Sequence, residues 1–196
     1  MTSIGEYAFF GCTSLQSVTI PDSVTSIESH VFSRCTYLKS VTIPKSVTSI
    51  GEDAFYECTS LESVTILDSV TSIGEYAFWK CTNLKSVKIL NGVTSIESYV
   101  FSHCTNLQSV EIPKSVTSIG EYAFSHCTIL QSVTLPDSVK SIGDSAFTAC
   151  TVLEVTVPDT VEKVGPYSFK DVKNVKYQGT LEDAPWGAKA LNGNAK

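Results

Sequence analysis

Seven cysteines stand at positions 12, 35, 58, 81, 104, 127 and 150, each 23 residues after the one before. Such thiols could form disulfides, hold a metal or act as nucleophiles. The odd count argues against a disulfide framework, and so does geometry. Residues repeated at one position of a stacked coil sit ~4.8 Å apart with parallel Cα–Cβ vectors, which is outside the bonding arrangement. A metal centre needs a C-x-x-C pair or a histidine on the same face, and neither spacing occurs. Ser102-His103-Cys104 and Ser125-His126-Cys127 bring nucleophile and base types together. Adjacent residues in an extended or turn segment do not face one another, however, and the same cysteine recurs beside Arg34, Glu57 and Lys80. His103 and His126 read as exposed turn residues in one column. No G-x-S-x-G, H-E-x-x-H, phosphate loop or calcium loop appears. The thiols are therefore read as a reduced, buried column of small apolar side chains. No catalytic residue, metal ligand or cofactor is expected, and the chain is read as no enzyme.

The elements that place these residues share the same step. Phenylalanine repeats at 9, 32, 55, 78, 101, 124 and 147, then at 169; isoleucine repeats from Ile4 to Ile142 and leucine from Leu15 to Leu153. A fixed period of this length is the mark of a stacked solenoid. One unit reads V-T-S-I-G-E-Y-A-F-x-x-C-T-x-L-x-S-V-T-I-P-x-S. Leu15, Val18 and Ile20 end in the alternation of a half-buried strand, which Pro21 closes because it lacks a ladder donor. Val24 and Ile27 begin a second extended segment. The glycine that usually follows (Gly5, Gly51, Gly74, Gly120, Gly143) suits a turn of positive φ. Glu6 to Phe9 is expected to form a single helical or 3-10 turn. Thr13, Thr36 and Thr59 are expected to bond backbone groups at the corner. One coil alone cannot bury enough apolar surface to offset the ordering of its backbone, so the coils must stack.

The L-x-x-V-x-I-P strand, the A-F-x-x-C-T-x-L return and the 23-residue step resemble leucine-rich repeats, and more narrowly the BspA-like branch of bacterial and protist surface proteins. One departure is the buried cysteine column, where typical members place Asn after the strand. The resemblance implies an α/β, β-rich, right-handed leucine-rich-repeat solenoid with a parallel concave sheet and short helical or 3-10 turns on the return side. It also implies binding or adhesion rather than catalysis, at a cell surface or after secretion. Residues 1–178 are read as about eight coils of this solenoid. Residues 179–196 no longer repeat and are read as a C-terminal cap, with Trp186 folded over the last coil, and a tail. Met1 stands where other coils open on Val, so the chain reads as a piece beginning in mid-repeat, its uncapped first coil a site for end-to-end dimers.

Composition narrows the partners. Arg34 is the sole arginine among 14 basic residues and the net charge is −6, which disfavours nucleic acid. The longest apolar runs are four residues, Tyr7 to Phe10 and Tyr76 to Trp79, too short to insert in a membrane as a helix. A protein ligand, such as a host, matrix or neighbouring-cell surface protein, is the expected partner. The contact residues are expected where the repeat varies. Lys39, Glu62 and Lys85 vary in one column of the strand side. Lys88 and Glu111 interrupt a column of threonines and so break any flat hydroxyl lattice there. Tyr56 and Trp79 bring aromatic anchors to the return side, and Tyr56, Trp79 and Lys88 read as one cluster of substitutions. Tyr7, Tyr76, Tyr99 and Tyr122 read as rings packed along the coil axis. The alternative role is a spacer that presents another domain.

Overall fold

The alternation around Val18 and the 23-residue step build what they predict. A computed structural model describes residues 3–179 as stacked coils, each with one longer and one two-residue strand, giving sixteen strands in all. The longer strands pair in parallel with their counterparts in the next coil, with one interruption described below, as in Ser86↔Ser109, Val87↔Val110 and Lys88↔Glu111. Period-two alternation decides the faces: Val87 and Ile89 point inward, while Ser86 and Lys88 face out. The short strands form their own parallel ladders, for example Ser118↔Ser141 and Ile119↔Ile142. The Trp186 cap lies outside the described residues.

Two interruptions divide the ladders. The short-strand ladder breaks between Ser72–Ile73 and Ser95–Ile96. There Leu90-Asn91-Gly92 replaces the usual Pro-x-Ser. A Cβ on Gly92 would lie 2.3 Å from the Val70 carbonyl oxygen, so this corner seats itself directly on the coil below. The longer-strand ladder breaks between Ser40–Thr42 and Ser63–Ile66.

The return side is where the expectation fails: the described residues contain no helix. Two residues per coil take the left-handed conformation, such as Tyr99 (φ 61°) and His103 (φ 61°), and a left-handed residue ends a helical run. The backbone instead alternates its donors. Ser102 N–H donates to Tyr99 O and Cys104 N–H to Phe101 O within the coil. Between them Phe101 N–H donates to Ala123 O and His103 N–H to Ser125 O of the next coil. The return is thus a series of β-turns stitched to its neighbour, which satisfies groups that a 3-10 turn would use locally. The positive φ does not fall on Gly5, Gly51, Gly74, Gly120 or Gly143 either, and Gly11 is the one such glycine among the described residues. At Gly51 glycine answers a close approach, since a Cβ would stand 2.6 Å from Ser29 N. The demand is local to each coil, because Glu28 and Glu97 hold the same position and accept hydrogen bonds from Ser26 and Ser95.

The interior consists of continuous rows. Phe9, Phe32, Phe55, Phe78, Phe101, Phe124, Phe147 and Phe169 stack with centroids 5.1 to 5.6 Å apart. Cysteines from Cys35 to Cys150 are buried, and each thiol donates to the carbonyl oxygen of the phenylalanine one coil back, as Cys104 Sγ does to Phe78 O at 3.3 Å. Cys12 breaks the row by being exposed, and Ile4, Phe9, Leu15 and Val18 of the same coil are only partly covered. Threonines after the cysteines bond the preceding coil, Thr59 Oγ1 donating to Thr36 O at 3.3 Å.

Burial has a chemical consequence. Desolvation pushes the Cys150 thiol up to about 12 and holds Cys58, Cys104 and Cys127 well above the ordinary thiol value. The thiolate is the reactive form, so these sulfurs are inert to disulfide exchange. A native protein titrated with Ellman's reagent is expected to yield one fast thiol, Cys12, and six more only after denaturation. Two or more fast thiols would contradict the buried row.

Candidate functional site

The outward residues of the longer strands present charge on a small-residue background. Ser86, Ser109 and Thr134 are exposed, and so are Lys88 and Glu111. These side chains and the corners at Asn91, Lys114 and Asp137 line a groove of about 930 Å³. Its width comes from the serine and threonine columns, which add little bulk above the sheet. Lys88 and Glu111 are register partners, yet no ion pair within 4.0 Å joins them. Some opposite charges on neighbouring coils do close. Lys85 Nζ lies 3.0 Å from Glu62 Oε2, and Lys173 Nζ lies 2.7 Å from Glu154 Oε1. The hydrogen bond from Lys85, and then its charge, holds the Glu62 carboxyl below its ordinary value.

The expected contact residues therefore separate into three groups. Glu62 and Lys85 are consumed by each other, with Lys39 exposed one coil away. Lys88 and Glu111 come together in the groove. Tyr56 and Trp79 stack at 4.6 Å on the return turns. Lys88 does not belong with this aromatic pair, because the strand carries it to the sheet face while the turns carry the rings. The cation over Trp79 is Lys80, with Nζ 4.1 Å from the ring centroid.

That turn surface holds a chain of charges that sequence reasoning passed over. Glu57 lies between Arg34 Nε at 3.3 Å and Lys80 Nζ at 3.4 Å. The signal was present in the period, since 34, 57 and 80 are successive steps of 23. Tyr76, Tyr99 and Tyr122 stack at 4.6 and 4.8 Å along the coil axis, as expected.

The Ser-His-Cys triplets are arranged in part against expectation. Ser102 Oγ does meet its neighbour, lying 2.9 Å from His103 Nδ1, and it also reaches Ser125 Oγ at 2.8 Å. Ser102 is fully buried, so its oxygen has no approach for a substrate. Cys104 points the other way, into the thiol row. His103 and His126 stack at 4.4 Å with planes 8° apart, so their in-plane lone pairs lie in parallel sheets and do not converge on one ion. Burial, then His126 and Lys80, lowers the His103 pKa from its ordinary value.

Parallel coils of two strands, rows of identical interior side chains and a sheet with small outward residues define a leucine-rich-repeat solenoid. The chain belongs to the BspA type of leucine-rich repeat region, whose profile matches residues 2–115 and 94–183 in six copies. Among curated proteins none matches. Solved structures do. A leucine-rich repeat protein from Bacteroides ovatus is 28% identical with a TM-score of 0.75, over 92% of this chain and 55% of that one. One from Eubacterium ventriosum is 29% identical with a TM-score of 0.73, over 85% and 45%. The leucine-rich repeat protein of T. pallidum is 31% identical with a TM-score of 0.60, over 87% and 69%. The chain thus spans about half the length of the first two. Family and fold are those of non-enzymatic repeat proteins. Among the described residues no helix is long and apolar enough to cross a membrane.

Proposed function

We propose that this chain is a protein-binding module of a cell-surface or secreted protein, and that it grips its partner through the groove at Lys88 and Glu111. The observation that carries the reading is the open pair itself. Lys88 and Glu111 are register partners of opposite charge that remain exposed and unjoined in a groove of about 930 Å³ on the sheet face. Several opposite charges on neighbouring coils are instead joined within the fold, Glu57 with Lys80, Glu62 with Lys85 and Glu154 with Lys173. An unjoined pair can accept one anion and one cation from a partner, and such complementarity fixes register and speeds encounter. The serine and threonine floor lets a partner backbone approach closely. Protonated, buried thiols also suit an oxidising exterior, because they do not exchange.

The experiment is a surface plasmon resonance screen of the chain against purified matrix and cell-surface proteins. A K88A/E111A double variant and W79A run beside the wild type. Binding is expected to weaken ~30-fold or more in the double variant, the loss of two charge-assisted contacts, and to persist in W79A. A hit unaffected by the double variant but abolished by W79A would move the contact surface to the return turns.

A further inference from the structure

The return turns carry a run of tyrosines that the groove does not use. Position by position, the column reads His30, Asp53, Tyr76, Tyr99, Tyr122 and Ser145. Tyr76, Tyr99 and Tyr122 share the left-handed backbone, with φ of 57°, 61° and 53°, so each Cα–Cβ bond leaves its coil in the same direction. The rings follow. Tyr76 and Tyr99 stack with centroids 4.6 Å apart and planes 11° apart, and Tyr99 and Tyr122 stack at 4.8 Å and 10°. All three are half-buried, whereas the phenylalanine row is closed to solvent from Phe32 onward. Among the described residues these are the two contacts between tyrosine rings. Asp53 and Ser145 bound the run, and Tyr56 gives its face to Trp79 instead.

Touching phenols have a chemistry that stacked phenylalanines lack. Each phenol gives one electron and one proton to a strong oxidant and becomes a phenoxyl radical, with unpaired density on the carbons ortho to oxygen. Two such radicals on neighbouring rings join through those carbons. The two ortho hydrogens then move to the oxygens and restore both phenols. Two ortho C–H bonds are broken and one C–C bond is made. The two electrons and two protons pass to hydrogen peroxide, whose O–O bond breaks to leave two waters. Tyr76 and Tyr99 are raised above the ordinary phenol value, first by desolvation, so both keep their protons until an oxidant takes them. Half-exposed rings have room to turn from stacked to edge-joined. Coupling within the molecule outruns collision between molecules, because the second ring is already in place. The location also matters to the stack. The short-strand ladder breaks between Ser72–Ile73 and Ser95–Ile96, and Tyr76 and Tyr99 each stand three residues beyond those strands. A bond between them staples the coils across that interruption.

We propose that Tyr76, Tyr99 and Tyr122 form an oxidative crosslinking site, at which a peroxide-driven one-electron oxidant of the haem-peroxidase class joins Tyr99 to Tyr76 or to Tyr122 as dityrosine. Tyr99 is the shared partner in either product. Without its phenol, Tyr76 and Tyr122 stand two coil steps, roughly 10 Å, apart and do not meet. The modification needs no ligand in the groove and stands apart from the binding role.

The test treats native protein, its exposed Cys12 first alkylated, with a haem peroxidase and limiting hydrogen peroxide. The products are separated under reducing, denaturing conditions and mapped by mass spectrometry. The expected product is a fluorescent monomer lighter by two hydrogens, and its digest contains a linked peptide pair that includes Tyr99. Y99F should lower the monomer dityrosine yield about tenfold or more, while Y122F, which keeps the Tyr76–Tyr99 contact, should retain roughly half or more. The crosslinked wild type should also unfold at higher urea than the untreated protein, because a bond between coils restricts the unfolded chain. Treated Y99F should show no such shift. Circular dichroism checks that each variant folds, and the peptide map of the wild type keeps the test valid without any variant. Absence of dityrosine, dityrosine confined to dimers, linked peptides that lack Tyr99, or an undiminished monomer yield in folded Y99F would each overturn the proposal.

Discussion

Raising the pH from 8 to 10 is expected to remove about 7 kcal/mol of folding stability, most of what a domain of this size has. The cause is the thiol row. Cys58, Cys81, Cys104, Cys127 and Cys150 are all raised above the ordinary value of 9.0, chiefly by desolvation. In the unfolded chain the same thiols release their protons near 9.0. Each therefore stabilises the fold in full below pH 9, and that contribution is lost as pH rises above 9 toward the folded values. One thiol loses about 1.4 kcal/mol per pH unit in that window, and five lose about 7 together. Tyr76 and Tyr99, also raised first by desolvation, act in the same direction but at higher pH and with more solvent around them. Urea unfolding at intervals from pH 7.5 to 10.5 under reducing conditions measures the effect. C104S, whose hydroxyl can donate to the same Phe78 carbonyl, should flatten the slope by about one fifth. A loss below about 2 kcal/mol across pH 8 to 10 would mean that the row is wet.

How much of this was legible depended on whether a residue type carries its own signal. Cysteine, phenylalanine, leucine and isoleucine at a constant step announce interior rows, because only stacked coils bring such residues together. The outward Ser and Thr columns were equally plain from alternation. The left-handed residues were not. They are Tyr7, His30, Asp53 and Tyr76 in one column and Arg34, Glu57 and Lys80 in another, types with no common preference for positive φ. The conformation comes from hydrogen bonds to the next coil, such as Arg34 N–H to Tyr56 O, and not from the residue itself. The glycine column misled for the same reason: its cause is a backbone one coil away. Lys88 and Glu111 could be read as interruptions of a threonine column.

The row architecture also dictates where a single ring matters most. Phe101 is fully buried and stacks on Phe78 at 5.4 Å and on Phe124 at 5.5 Å. Truncation to alanine removes the buried ring, leaves a cavity in rows that cannot collapse along the axis, and breaks two aromatic contacts. The expected cost is about 4 kcal/mol. Phe9 has the same position in the first coil, but it is only partly covered and stacks on Phe32 at 5.3 Å. F9A should therefore cost less than half as much. The two variants should also differ in kind, because each coil touches only its neighbours and stability spreads along the stack as a chain of interfaces. F101A weakens both interfaces of a central coil, so the blocks on either side are expected to unfold in separate steps with a reduced urea m-value. F9A should fray one end and leave the main transition cooperative. Urea denaturation followed by fluorescence and by far-ultraviolet circular dichroism distinguishes these outcomes. Equal losses in F9A and F101A would show that burial along the phenylalanine row does not carry the cohesion of the stack.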